Sequence, residues 1–393
     1  MNQLNDIQSA LREVGLDGWL FYDHHQRDPL AYRILGFQPR RHVTRRWYYL
    51  IPANGEPRGI VHRIEPNMLD SLPGTRTTYS SWQTQQHGLE SLLAGCRRVA
   101  MQYSPYNAVP YVDLVDAGTV ERIRALGVEV LSSADLVQYF EARWSDAQLE
   151  SHLEAGRRVD AVLRSAFEEI GARLRAGTGV TEFDVKQFIL AGFGQSGLFT
   201  DHGPIVGVNA NASNPHYEPT AEQHLPIHKG DAVLIDLWAR LADVSDSVYY
   251  DITWTGHTAE VVPSDFANVF GVVTGARDAA VARVQQAVRG GEPLAGYQVD
   301  DAARGFIRDR GFADYFVHRT GHSIGRDVHG TGANMDNLET HDERRVIPRT
   351  CFSVEPGVYL PAFGVRSEVN VYVAETDAIV TGTIQREPVR IPG

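Results

Sequence analysis

The sequence predicts an α+β chain of two domains, an α/β unit over 1–144 and a larger catalytic unit over 145–393. Three observations carry this. A chain of 393 residues is too long for one small core. Short apolar runs alternate with helical stretches up to about residue 144. A capping box at Ser145 then opens a long helical pattern.

In the first domain DGWLFYD, RRWYYLIP, GIVHRI and RVAMQYS read as strands bounded by Gly, Pro and polar clusters. VDLVDAGTVERIRALG, before GVEVLSS, reads as a helix. In the second, Ser145-Asp-Ala-Gln precedes apolar residues at Leu149, Leu153, Val159, Val162, Leu163, Phe167, Ile170 and Leu174, and the helix stops at Gly177. Another long helix runs from near Pro263 to near Gly290. RAGTGVTEFDVKQFI at 175–189 lies against RGGEPLAGYQVDDAA at 289–303 with a constant offset of 114, extending to Gly197 and Gly311. Identities are few, and the echo predicts a second domain of two similar halves.

Composition excludes several classes. A net charge of −12 disfavours a nucleic-acid partner. Two distant cysteines, Cys96 and Cys351, rule out a disulfide framework and offer no thiolate zinc site, so a reducing, cytoplasmic setting is expected. MNQLNDIQSALREVGLDGWL reads as an amphipathic helix, not a signal peptide. No run of eighteen apolar residues exists, so no membrane partner is expected.

HRTGHSIGRDVHG, at 318–330, crowds His318, His322 and His329 into one glycine-punctuated segment. Three other segments place acids in or beside β-branched strands: Asp236 and Asp251 in VLIDLWARLADVSDSVYYDITWTG, Glu355 in CFSVEPGVYL, and Glu368 in FGVRSEVNVYV. A solvent-facing acid is the ordinary reading of any one alone. Asp236, however, follows Ala-Val-Leu-Ile, a run that looks buried on both faces. Buried carboxylates are costly unless paired or metal-bound. Several of them with a histidine suggest ligands for two divalent cations, of Mn, Co or Zn type. Two ions about 3.5–4 Å apart can share carboxylates and hold a bridging hydroxide.

NPHYEPT, LIDLWA, YYDITWTG, TGHSIGRDVHG, SVEPGVY and VRSE occur here in the order found in metallopeptidases of the pita-bread fold. That family holds methionine aminopeptidase, aminopeptidase P, prolidase and the non-peptidase creatinase. The chain resembles it throughout, with 1–144 similar to the creatinase-type N-terminal domain and 145–393 to the catalytic domain of pseudo-twofold halves. The resemblance implies an Xaa-Pro dipeptidase of the prolidase type holding two ions per chain. Asp236 would bind one metal through both oxygens, Asp251 and Glu368 would bridge the two, and His322 and Glu355 would complete the other. Glu355 would also shuttle the proton. His329 and His216 resemble histidines that contact the substrate carbonyl, and His318 one on the proline side of the pocket. Arg366 resembles an arginine beside the substrate that neutralises the acids, and Thr253 would anchor a ligand carboxylate. Gly321 and Gly325 are expected to let the backbone bend near the metals. His24, His25, Arg27 and Asp28 lie in a domain that reaches over the partner's site in dimeric relatives, against the plainer reading of a solvated loop. A homodimer and a small proline peptide are the implied partners.

The chain also departs from the pattern. Asp236 and Asp251 stand fifteen residues apart, not eleven, which predicts a longer hairpin turn around LADVSD. Ser247-Val248 occupies the place of a family Gly-Tyr, and Tyr249 and Tyr250, the candidate replacements, should point to opposite faces. Trp238 and Trp254 stand for a common glycine and arginine. Competing functions are aminopeptidase P activity on longer peptides, metal-free creatinase-like hydrolysis, and a binding protein without catalysis.

Overall fold

The computed structural model describes residues 2–37 and 43–392. The chain divides into two units after Glu141. In the first, Gly18–Asp23, Trp47–Pro52, Arg58–His62, Thr75–Tyr79, Arg98–Met101 and Glu129–Ser132 form one six-stranded mixed sheet. Gly18–Asp23 pairs antiparallel with Trp47–Pro52 and parallel with Arg98–Met101. Its side chains alternate between two cores. Trp19, Phe21, Trp47 and Tyr49 fill one, and Leu20, Tyr22, Tyr48 and Leu50 the other. Burial of both faces is why these strands read as unbroken apolar runs.

The helix expected over VDLVDAGTVERIRALG begins only at Ala117. The Asp116 carboxylate caps it by accepting from the Thr119 amide at 2.9 Å. The amides of Leu114 and Val115 are spent instead on the Gln102 carbonyl. The edge strand Thr75–Tyr79 and the helix Trp82–Leu92 were not signalled, since TRTTY lacks apolar alternation and is mostly exposed.

YDHHQRDP is an ordered turn. The Asp23 carboxylate accepts from the amides of Gln26, Arg27 and Asp28 and from the Tyr32 hydroxyl, at 2.6–3.0 Å. His25 and Gln26 adopt left-handed φ values of 66° and 56°. Asp28 is not solvated. It is buried, caps helix Pro29–Leu35 through Oδ1, and leaves Oδ2 without a partner. Burial pushes its carboxyl up to about 7.

The second unit is built from paired helices over two sheets. Helix Asp146–Ala176 starts on the Ser145–Gln148 capping box and ends at left-handed Gly177. Helix Ser264–Gly290 ends at left-handed Gly291, and the following helices are Glu182–Gln195 and Gly296–Arg308. Gly177 and Gly291, Thr181 and Ala295, and Gly197 and Gly311 all stand 114 residues apart at equivalent caps and turns. The first helix pair packs on the sheet carrying Ala232–Leu241 and Tyr250–His257. The second pair packs on the sheet carrying Cys351–Val354 and Val369–Val373. Each half therefore has its own core. Among the described residues no helix is long and apolar enough to cross a membrane. Both cysteines are free.

Gly156 sits where Asp146–Ala176 meets Tyr250. A Cβ there would lie 2.7 Å from two ring carbons of Tyr250, whose hydroxyl is tied to Asp160 Oδ1 at 2.9 Å. Gly156→Ala should cost about 1–3 kcal/mol through overpacking, read as a lowered denaturant midpoint. Asp28 gives a pH signature. Unfolded, it ionises near its ordinary 3.8, and folded near 7. Its contribution is complete below about pH 4 and is lost as pH rises through 7. Asp28→Asn keeps the capping oxygen and should flatten that decline in thermal scans from pH 4 to 8.

Candidate metal centre

The two aspartates meet through strand register. Ala232–Leu241 pairs antiparallel with Tyr250–His257, setting Asp236 opposite Thr253 and Trp238 opposite Asp251. Because side chains alternate, these four share one face. Ile252 and Trp254 point to the reverse face, into the helix core. The turn between the strands spans 242–249, held by Ser247 Oγ donating to the Leu241 carbonyl at 2.8 Å. It is the longer hairpin that the spacing predicts.

The second sheet brings the other acids. The Glu368 amide donates to the Thr253 carbonyl at 3.1 Å, knitting the two halves here. Asp251, His322 and Glu368 each offer a ligand atom within 4.8 Å of the others, and all three are buried. His322 Nε2 lies 3.5 Å from Asp251 Oδ2 and 3.3 Å from Glu355 Oε1. Its Nδ1 faces the Ser323 carbonyl at 3.1 Å, which can only accept. That keeps a proton on Nδ1 and turns Nε2 toward Asp251 and Glu355. Burial pulls the imidazole pKa down, but these two acids hold it above its ordinary value.

Arg366 organises the remainder. Its Nη2 donates to Asp236 Oδ2, its Nε to Thr253 Oγ1 at 3.0 Å, and its Nη1 to the Tyr359 hydroxyl at 3.1 Å. Glu355 Oε2 is 3.9 Å away. Thr253 Oγ1 in turn donates a hydrogen bond to Glu368 Oε2 at 2.9 Å.

The acids are too close to ionise freely. Burial raises Asp236 to about 7 although Arg366 lowers it. Burial, then the nearby Asp251, raises Glu368 well above the carboxylate range. Burial also raises Asp251 against the pull of His322. For Glu355 burial acts upward, but His322 and Arg366 together bring it below its ordinary value. Asp251 Oδ1 and Glu368 Oε1 are buried with no hydrogen-bond partner. Native structures rarely leave such atoms unpaired. Four carboxylates, two of them with an orphaned oxygen, and an imidazole nitrogen form a donor set that fits hard or borderline divalent cations.

The three other histidines are placed differently. His329 packs edge-to-face on His322 with ring centroids 4.3 Å apart. The His322 charge first, and then burial, hold it down to about 3, so its ring is neutral. His216 is exposed, on a loop anchored by Tyr217 donating to Glu182 Oε2 at 2.6 Å, and near enough to act electrostatically on His329. His318 has both nitrogens engaged, Nδ1 with the Arg319 carbonyl and Nε2 with the Tyr359 hydroxyl, each at 2.7 Å. Its Nε2 therefore accepts from Tyr359 and holds no free donor for a ligand.

Gly321 and Gly325 differ in role. A Cβ on Gly321 would fall 1.8 Å from the Ser353 carbonyl oxygen, so only glycine fits. Gly325 opens the bend that follows Ser323–Ile324, but a Cβ there would meet open space and its φ is not positive, so that bend does not require glycine. Of the candidate tyrosines, Tyr249 shares the Asp251 face, while Tyr250 turns to His152 and Asp160. Three positioning residues carried no sequence signal of their own. Ser353 Oγ donates to Glu355 Oε1 at 3.0 Å and accepts from the His322 amide. Asn370 clamps the Asp251 backbone from both sides. Tyr359 joins His318 to Arg366. The quoted SVEPGVY segment contains Ser353 and Tyr359 and was the available clue.

The chain belongs to metallopeptidase family M24, whose profile matches residues 150–375. It is 26% identical over 348 residues to the probable dipeptidase PepE of Mycobacterium tuberculosis, spanning 87% of this chain and 85% of that protein. It is 28% identical over 244 residues to the Xaa-Pro dipeptidase of Lactobacillus delbrueckii subsp. lactis, spanning 60% and 58%. The fold matches dipeptidase PepE from Mycobacterium ulcerans with a TM-score of 0.73, at 24% identity over 100% of this chain and 98% of that one. It matches a prolidase from Thermococcus sibiricus at 0.68, with 22% identity over 99% and 98%. These are two-domain pita-bread proteins, and this α+β chain shares that architecture.

Thr253→Val keeps the shape and removes the hydroxyl between Glu368 and Arg366. Calorimetric titration with Mn²⁺ should show affinity reduced roughly 10–100-fold, as for other lost ligand supports. Unchanged affinity would sink the anchoring role.

Proposed function

We propose that this M24 protein hydrolyses the Xaa-Pro bond of dipeptides with two divalent ions, of Mn, Zn or Co type, held by Asp236, Asp251, His322, Glu355 and Glu368. The observation that carries the reading is the buried convergence of these donors around unpartnered Asp251 Oδ1 and Glu368 Oε1. Relatives named dipeptidase and Xaa-Pro dipeptidase support the substrate class.

Bound cations supply Lewis acidity toward the scissile carbonyl and lower the pKa of water. The chain's own side chains do the rest. Glu355, steadied on Oε1 by Ser353, moves a proton from water to the leaving nitrogen. His329 and His216 stabilise charge developing on the carbonyl oxygen. Arg366 offsets the acids and fixes Asp236. His318 shapes the proline side through Tyr359 and acts as a wall, since its nitrogens are taken. The same reading expects a homodimer and no nucleic-acid or membrane partner.

Purified protein with Mn²⁺ should cleave Ala-Pro and leave Ala-Pro-Ala intact, with activity lost in EDTA. Cleavage of the tripeptide would move the assignment to aminopeptidase P. Failure on both peptides would overturn the proline reading. Glu355→Gln should lower kcat by roughly 10²–10⁴-fold, the usual weight of a general base.

A further inference from the structure

The reverse face of the metal strand borders a second cavity. Trp254 follows Thr253 on Tyr250–His257 and points away from the metal ligands. It walls a cavity of about 330 Å³ together with helix Asp146–Ala176 and the terminal segment through Pro392. The apolar lining is Phe167, Trp254, Val389 and Ile391. Gly171 keeps one wall open, since a Cβ there would stand 3.4 Å from both Ile391 and the Pro392 carbonyl.

The polar lining is one-sided. Arg164, Arg175 and Arg390 border the cavity against a single acid, Glu168, in a chain of net charge −12. Arg390 is largely exposed, with Glu387 3.8 Å away, and Arg164 stands 3.6 Å from Asp160. Arg175 donates to the neutral Pro392 carbonyl at 2.7 Å and makes no ion pair among the described residues. The Trp254 indole N–H is buried without an acceptor. An apolar floor, the Arg175 guanidinium without an acidic partner and an orphaned indole donor define complementarity to an anion with a hydrophobic body. The volume is at the lower end of small-molecule pockets. The planar guanidinium fork matches a carboxylate.

We infer that this cavity is a binding site for a small apolar carboxylate, an aryl or alkyl acid, distinct from the metal centre. Its occupant lies against Trp254, one residue from Thr253, which holds Glu368 and Arg366 on the other face. The inference is independent of peptide specificity.

The test is ¹⁹F NMR of the full chain labelled with 5-fluorotryptophan, which gives one resonance for each of six tryptophans. Trp254→Phe and Trp238→Phe identify the two that matter. Titration with 4-phenylbutyrate should shift the Trp254 resonance saturably, while the neutral 4-phenylbutyramide should not. Arg390→Gln and Arg175→Gln should each weaken the response about tenfold, the scale of a lost charged hydrogen bond, and the other resonances report that these variants stay folded. No Trp254 shift at millimolar carboxylate would overturn the site. So would an equal response to the amide, or a Trp238 shift that survives Arg390→Gln.

Discussion

The metal region is governed by the crowding of anions in a dry interior. Asp236, Asp251 and Glu368 are all less than a tenth exposed, with Glu355 beside them. The Arg366 guanidinium is hydrogen-bonded to Asp236, and the His322 imidazole lies beside Asp251 and Glu355. Like charges at this separation and burial cannot all ionise on such limited compensation. The raised carboxyls of Asp236, Asp251 and Glu368 express that frustration. A donor set of this kind is stable when divalent charge enters it, and the acids must be held apart until it does. The contacts of Thr253, Ser353 and Asn370 have that effect.

The scaffold supplies the rigidity. Two helix pairs related by an offset of 114 residues each cover a sheet, and the acids come from both sheets. Neither half carries the site alone. The hydrogen bond from Glu368 to Thr253 and the Asn370 clamp on Asp251 lie where the halves join. Strand alternation keeps the polar work on one face, so that Ile252 is buried among helix residues one position from Asp251. A slip of one residue would exchange the candidate metal ligands for core side chains.

Features encoded within a few residues were legible in the sequence. The Ser145 capping box, Gly177 and the glycine pair beginning at Gly290 bounded the long helices because caps are local chemistry. Asp236 stood out because a carboxylate in an apolar strand demands a reason. Features that depend on distant pairing were not legible. Asn370 reads as an ordinary strand residue until register sets it against Asp251, 119 residues earlier. Asp28 reads as a loop acid until the turn buries it. The Ala117 helix start depends on amides captured by Gln102, a strand away. Gly325 does sit at a bend, but its identity there was not legible, because a glycine beside a motif looks alike whether or not the backbone needs it.

The departures from the family pattern fall on the two sides of one hairpin. Trp238 stands on the metal side opposite Asp251, with its indole N–H on Asp201 Oδ1 at 3.3 Å. Trp254 stands on the reverse side over the arginine-rimmed cavity. The carboxylates between them are held by Thr253, Ser353, Asn370 and Arg366. The candidate ligands are thus held by buried hydrogen bonds from both sheets, and the two indoles flank them on opposite faces of the hairpin.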